Sequence, residues 1–162
     1  MNKQLLLSEF LTTPWALMPE RLQAMAGVLS RWQAGDLPSE ETMLQVNADR
    51  LIRESRKQFA SANAGAGIAV LPLYGVVTQR GNMVDDISGP GSTSTQKFTS
   101  ALRQVLADDT VGQILIDIDS PGGSVYGVAE LAAEIVKARA QKPVVAVANS
   151  LAASAAYWIG CS

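Results

Sequence analysis

Two short segments carry residue types suited to acyl transfer: Asp119-Ser120-Pro121-Gly122-Gly123-Ser124 and Ala152-Ala153-Ser154-Ala155-Ala156, separated by one predicted helix and one predicted strand. The first reads as a glycine turn that leaves a strand and opens a helix, where backbone N–H groups are free to bind negative charge. Pro121 fixes one φ angle, while Gly122 and Gly123 permit unusual backbone conformations and the close approach of a substrate chain. The second segment sets a hydroxyl among the smallest side chains just after another strand. There Ser154 feels the positive end of a helix dipole, and the N–H of Ala155 is a second oxyanion donor. A nucleophile beside an oxyanion site is what peptide hydrolysis needs. Each segment also has a plainer reading, Pro-Gly-Gly as a tight connection and Ser154 as a small polar residue in an alanine-rich helix. The other hydroxyls nearby fit less well: Ser120 and Ser124 belong to the turn, Ser150 reads as a helix cap, and Ser162 is the last residue.

Composition removes several alternatives. Histidine is absent, so neither a Ser-His-Asp triad nor a Cys-His pair can be built from these residues, and any base must be something else. Asp117 and Asp119 alternate on one strand face, a spacing open to a carboxylate pair or a metal site. No further ligands cluster near them, so the preferred reading makes them strand-end residues that hold the turn, and no metal or cofactor is expected. With 13 basic against 15 acidic residues there is no broad cationic surface, and nucleic acid is not an expected partner. The single Cys161 excludes an internal disulfide framework and is compatible with a reducing cytosol. Glu9 interrupts the short apolar run at the N-terminus before a secretory core forms, and no stretch approaches the roughly 20 apolar residues of a membrane span. The expectation is a soluble, cytoplasmic protein with no membrane partner.

The elements that must position the two segments follow from periodicity. Pro19 and Glu20 open a helix in which Leu22, Met25, Ala26 and Leu29 recur at spacings of three and four, ending near Gly35. Ser39 caps a second helix that runs toward Phe59. Residues 1–60 therefore read as a helical N-terminal arm, and the small-residue stretch 61–67 as a linker to a domain over 68–162. Ile68 to Val77 reads as a strand, placed at a sheet edge or bulge by Pro72. A polar loop spans Thr78 to Ser92. Thr93 and Gln96 match a capping box for a helix with Phe98, Leu102, Val105 and Leu106 on one face, stopping at Asp108-Asp109. Val111 to Ile118 is a strand. After the glycine turn, Val128, Leu131, Ala132, Ile135 and Val136 mark a buried helical stripe, with Glu130, Glu134, Lys137 and Arg139 opposite. Pro143 to Ala148 is an apolar run expected of a strand buried on both faces. Alternating strands and helices predict an α/β domain with a mainly parallel sheet, whose ligands bind beyond the strands' carboxyl ends. Both segments lie at such ends and can face one cleft.

Taken in order, Ile116 to Val125, Lys142 to Asn149 and Ala152-Ala153-Ser154 resemble the signal peptide peptidase A family of serine proteases, which share the Clp/crotonase-like fold. The likeness covers roughly Ile68 to Ser162. It implies Ser154 as nucleophile and an oxyanion site from the Gly122-Gly123 turn and Ala155, with the N–H groups of Gly123 and Ala155 as the matched donors. Pro14-Trp15-Ala16-Leu17-Met18-Pro19-Glu20 is similar to the bacteriophage branch, the head maturation proteases, which implies scaffold, capsid or portal polypeptides as substrates, a procapsid setting in the host cytoplasm and homo-oligomerisation at full length. The family often has glycines where Ala155 and Ala156 stand here. It activates serine with a lysine well downstream, whereas only eight residues follow Ser154. Lys137 reads as the solvated side of a helix and Lys142 as a residue before a strand. The resemblance therefore implies an N-terminal portion of the fold, inactive without its lysine base. Two further readings stay open, a crotonase-type acyl-CoA enzyme and a non-catalytic capsid-assembly module.

Overall fold

A computed structural model describes residues 3–36, 67–80 and 91–162. The helix expected from Ser39 toward Phe59 lies outside them, as does the linker except for Gly67. The elements are α1 (Lys3–Thr12), β1 (Trp15–Leu17), α2 (Pro19–Gln33), β2 (Ile68–Tyr74), β3 (Val76–Thr78), β4 (Ser92–Ser94), α3 (Thr95–Ala107), β5 (Gln113–Ser120), β6 (Gly122–Ser124), α4 (Val128–Arg139), β7 (Val144–Ala152) and α5 (Ala155–Gly160). From β2 onward, groups of one to three strands are each followed by a helix, β2–β4 by α3, β5 and β6 by α4, and β7 by α5.

Strands β2, β5 and β7 form a parallel sheet in that order. Alternate residues of its first two strands, Ala69, Leu71, Leu73 and Ile114, Ile116, Ile118, are buried, because successive side chains leave opposite faces of a strand. Phe98 and Leu102 of α3, Val128, Leu131, Ile135 and Ala138 of α4, and Ala155, Ala156 and Ile159 of α5 complete one core with Leu71, Leu73 and the three isoleucines. Pro72 sits on β2, at an edge of this sheet as expected.

The second sheet has the order β1-β6-β3-β4. Strand β2 passes into β3 across Gly75, and β5 passes into β6 across Pro121, so two chain segments leave one sheet and enter the other. One side chain joins these bends. The Ser120 hydroxyl, fully buried, donates to the Gly75 carbonyl at 2.6 Å and accepts from the Gly122 N–H at 3.2 Å. The Gly75 N–H in turn donates to the Asp119 carbonyl at 2.9 Å. Asp117 is bonded by the Tyr74 hydroxyl. Both carboxylate-bearing residues thus tie β5 to β2 and its end.

Several expectations need correction. The predicted strand through Val77 is two strands, bent at Gly75. Where the loop was expected to give way to a helix cap, Ser92–Ser94 pairs with β3 as β4. The cap of α3 is Ser94, whose hydroxyl accepts from the Lys97 N–H at 3.3 Å, because the Thr93 hydroxyl is bonded to both the N–H and the carbonyl of Tyr74. The glycine turn does not open a helix: Gly122–Ser124 is strand β6, paired on both sides, and α4 starts only after Gly127 at φ +79°. Val136 is 56% exposed, and Ala138 takes the inward position. Strand β7 is not buried on both faces. It lies at the sheet edge, its ends Val144 and Ala152 packed on the core but Val145 and Val147 each 41% exposed. Among the described residues no helix is long and apolar enough to cross a membrane.

Removing the Ser120 hydroxyl would leave the buried Gly75 carbonyl and Gly122 amide without their partner. Ser120→Ala is expected to lower the unfolding free energy by about 1–3 kcal/mol, read from the urea midpoint at constant slope.

Candidate active site

The carboxyl ends of β5 and β7 lie side by side, Ser120 pairing with Ala152 and the Ala153 N–H donating to the Ser120 carbonyl at 3.1 Å. One residue later the chain turns sharply at Ser154 into α5. Ser154 has φ +53° and ψ −119°, and among the described residues it is the one non-glycine with positive φ. That region suits glycine and strains a side chain by about 1–3 kcal/mol. Ser154 is exposed, while Ala155 and Ala156 behind it are fully buried and anchor the turn against that strain. Ser154, not Ser150, occupies the residue before this helix; Ser150 lies within β7.

Sequence reasoning places Gly122 and Ser154 in one cleft, and the structure brings them into contact. A side chain on Gly122 would meet the Ser154 Cβ at 2.9 Å and the Ala16 carbonyl oxygen at 2.3 Å, so only glycine lets these three groups meet. At Gly123 an added Cβ would fall 1.9 Å from the Val77 carbonyl oxygen, so β6 packs against β3 only without it. The Gly122 N–H is directed to Ser120. The Ala155 N–H, at the first position of α5, has no acceptor within its own helix.

A participant unforeseen from periodicity is β1. It pairs antiparallel with β6, Ala16 opposite Gly123. The Val125 N–H donates to the Pro14 carbonyl at 3.0 Å and the Met18 N–H to the Pro121 carbonyl at 3.1 Å. Bonded pairs alternate along an antiparallel ladder, so the intervening pair is also a bonded one and the Gly123 N–H points at the Ala16 carbonyl. Three residues carry no periodic signal that could have revealed this partner.

The lysines nearest Ser154 in sequence are engaged elsewhere. Lys137 pairs with Glu134 at 3.0 Å on the exposed side of α4, where Lys137 and Arg103 hold the Glu134 carboxyl below its ordinary value. The Lys142 ammonium donates to the carbonyls of Val105 at 2.9 Å and Asp108 at 2.6 Å, closing the end of α3. It also precedes the nine-residue β7 whose far end leads to Ser154, roughly 30 Å along the strand at about 3.3 Å per residue. On α5, a hydrogen bond with Cys161 raises the Tyr157 hydroxyl above its ordinary value. Among the described residues no group of three or more acidic or sulfur-bearing side chains is placed to hold a metal ion.

No family model matches the chain. It is 35% identical over 130 residues to the head-tail preconnector protein GP5 of Enterobacteria phage P21, covering 76% of this chain and 26% of that protein. It is 37% identical over 99 residues to the capsid assembly protease C of Escherichia phage lambda, covering 61% of this chain and 22% of that one. Over 99 residues it is 35% identical to Protease 4 of Salmonella typhi, covering 60% of this chain and 15% of that protein. The chain thus spans about a quarter or less of the curated relatives it matches.

The strain at Ser154 has a measurable signature. Ser154→Gly is expected to raise the unfolding free energy by about 1 kcal/mol, whereas Ser154→Ala, which keeps the Cβ, stays within about 0.5 kcal/mol of the parent. Urea titrations of the two variants side by side check this.

Proposed function

We propose that this chain, similar to a phage capsid assembly protease and to a bacterial Protease 4, belongs to the signal peptide peptidase A family of serine proteases and carries the nucleophile and oxyanion half of a phage head maturation peptidase with a Clp/crotonase-like fold. The observation that carries this reading is the strained, outward-facing Ser154 lying against Gly122 at the carboxyl ends of two parallel strands. Strain of this kind concentrates where a side chain must be held in one attacking position.

In the proposed reaction, Ser154 Oγ attacks the scissile carbonyl of a polypeptide as a lysine takes its proton. Lys137 and Lys142 are bonded elsewhere and are not that base; burial lowers a lysine's pKa enough for the role. The N–H groups of Gly123 and Ala155 receive the developing oxyanion, and Gly122 provides the close approach to Ser154. The lysine returns the proton to the leaving amine, and water releases the acyl group from Ser154. The substrates are scaffold, capsid or portal polypeptides of a procapsid in the host cytoplasm. The exposed Val145 and Val147 support a larger fold in which β7 is covered and copies of the chain associate.

The test is cleavage of a phage scaffold polypeptide by these residues together with any reading frame that continues past codon 162. Ser154→Ala is expected to lower kcat/KM by at least about 1,000-fold. Cleavage that survives the substitution overturns the reading.

A further inference from the structure

We propose that Pro14–Met18 is a substrate-mimicking strand that occupies the polypeptide-binding edge of β6, so that an incoming polypeptide must displace it. The proposal rests on the reading of Ser154 as nucleophile. An extended peptide binds a sheet by adding a strand, its main chain bonding to the edge while its alternate side chains enter pockets. Strand β6 has β3 on one side, and its other side is the edge facing Ala16. β1 fills that edge in the antiparallel sense, from the Pro14 carbonyl to the Met18 N–H.

The position of Ala16 gives the pairing its meaning. Its carbonyl oxygen lies against Gly122 on the same side as the Ser154 Cβ, and points along the Gly123 N–H that the proposed reaction assigns to the oxyanion. A scissile carbonyl would have to take this place. The flanking side chains hold the strand: Leu17 is buried with Met25 and Val76, and Trp15 packs on Phe10 with ring centroids 5.4 Å apart while its indole N–H donates to the Phe10 carbonyl at 2.9 Å. The Ala16 side chain alternates to the other face and packs on the main core. The cleft so filled accepts an extended polypeptide with a small residue opposite Ser154.

The experiment uses a fluorescently labelled hexapeptide, Thr-Pro-Trp-Ala-Leu-Met, and the 162-residue chain. Ala16→Pro removes the amide that bonds β1 to Gly123, and Leu17→Ser removes its apolar anchor. Each is expected to bind the peptide at least tenfold more tightly than the parent by fluorescence anisotropy. In the unaltered chain, saturating peptide is expected to speed hydrogen exchange of the Met18 amide at least tenfold, a readout that does not depend on either variant folding. Equal affinities in folded variants, or a Met18 amide indifferent to peptide, overturn the proposal. Peptide competition does not require catalysis, so it stands or fails separately from Ser154-dependent cleavage.

Discussion

The geometry around Ser154 depends on the buried hydroxyl of Ser120. Two parallel strands must each leave one sheet and enter another within a residue or two of the same point, and each bend exposes backbone groups that no ladder satisfies. Ser120 bonds to the carbonyl of one bend and the amide of the other. A buried polar group without a partner is costly, so the hydroxyl fixes where both bends occur. Gly122 is thereby held at the height of the β7 end, where the chain turns at Ser154.

Space decides the remainder of the site. Gly122 and Gly123 carry no side chain because the neighbouring backbone already fills that volume, and Ala155 and Ala156 are small because they are fully buried behind the turn. Small residues on both sides allow a serine to be held in a conformation that it would not choose by itself. The core under α5 compensates for that strain, which places the support for Ser154 in packing and leaves its hydroxyl side open.

Much of this was legible in the sequence. Alternating Ile114, Ile116 and Ile118 specify a strand with one buried face, and the strand-helix order specifies a parallel sheet whose adjacent carboxyl ends bring Gly122 toward Ser154. What escaped lies at shorter or longer range than periodicity can reach. Strand β6 is three residues with two glycines, too short and too small for a period. The Thr93 hydroxyl was diverted from its cap by Tyr74, a partner 19 residues away. The apolar run of β7 indicates a strand made for coverage, but no run of residues says what supplies the cover.

The pairing of β1 with β6 also bears on the order in which the chain folds. Trp15 and Ser124 are neighbours in space but more than a hundred residues apart in sequence. Closing so long a loop costs entropy, which a three-residue strand recovers poorly until its seat exists. The parallel sheet and its helices, joined by shorter crossovers, form that seat. The entropy of that closure favours a cleft that forms open and is closed by β1 afterwards, although β1 precedes it in the chain.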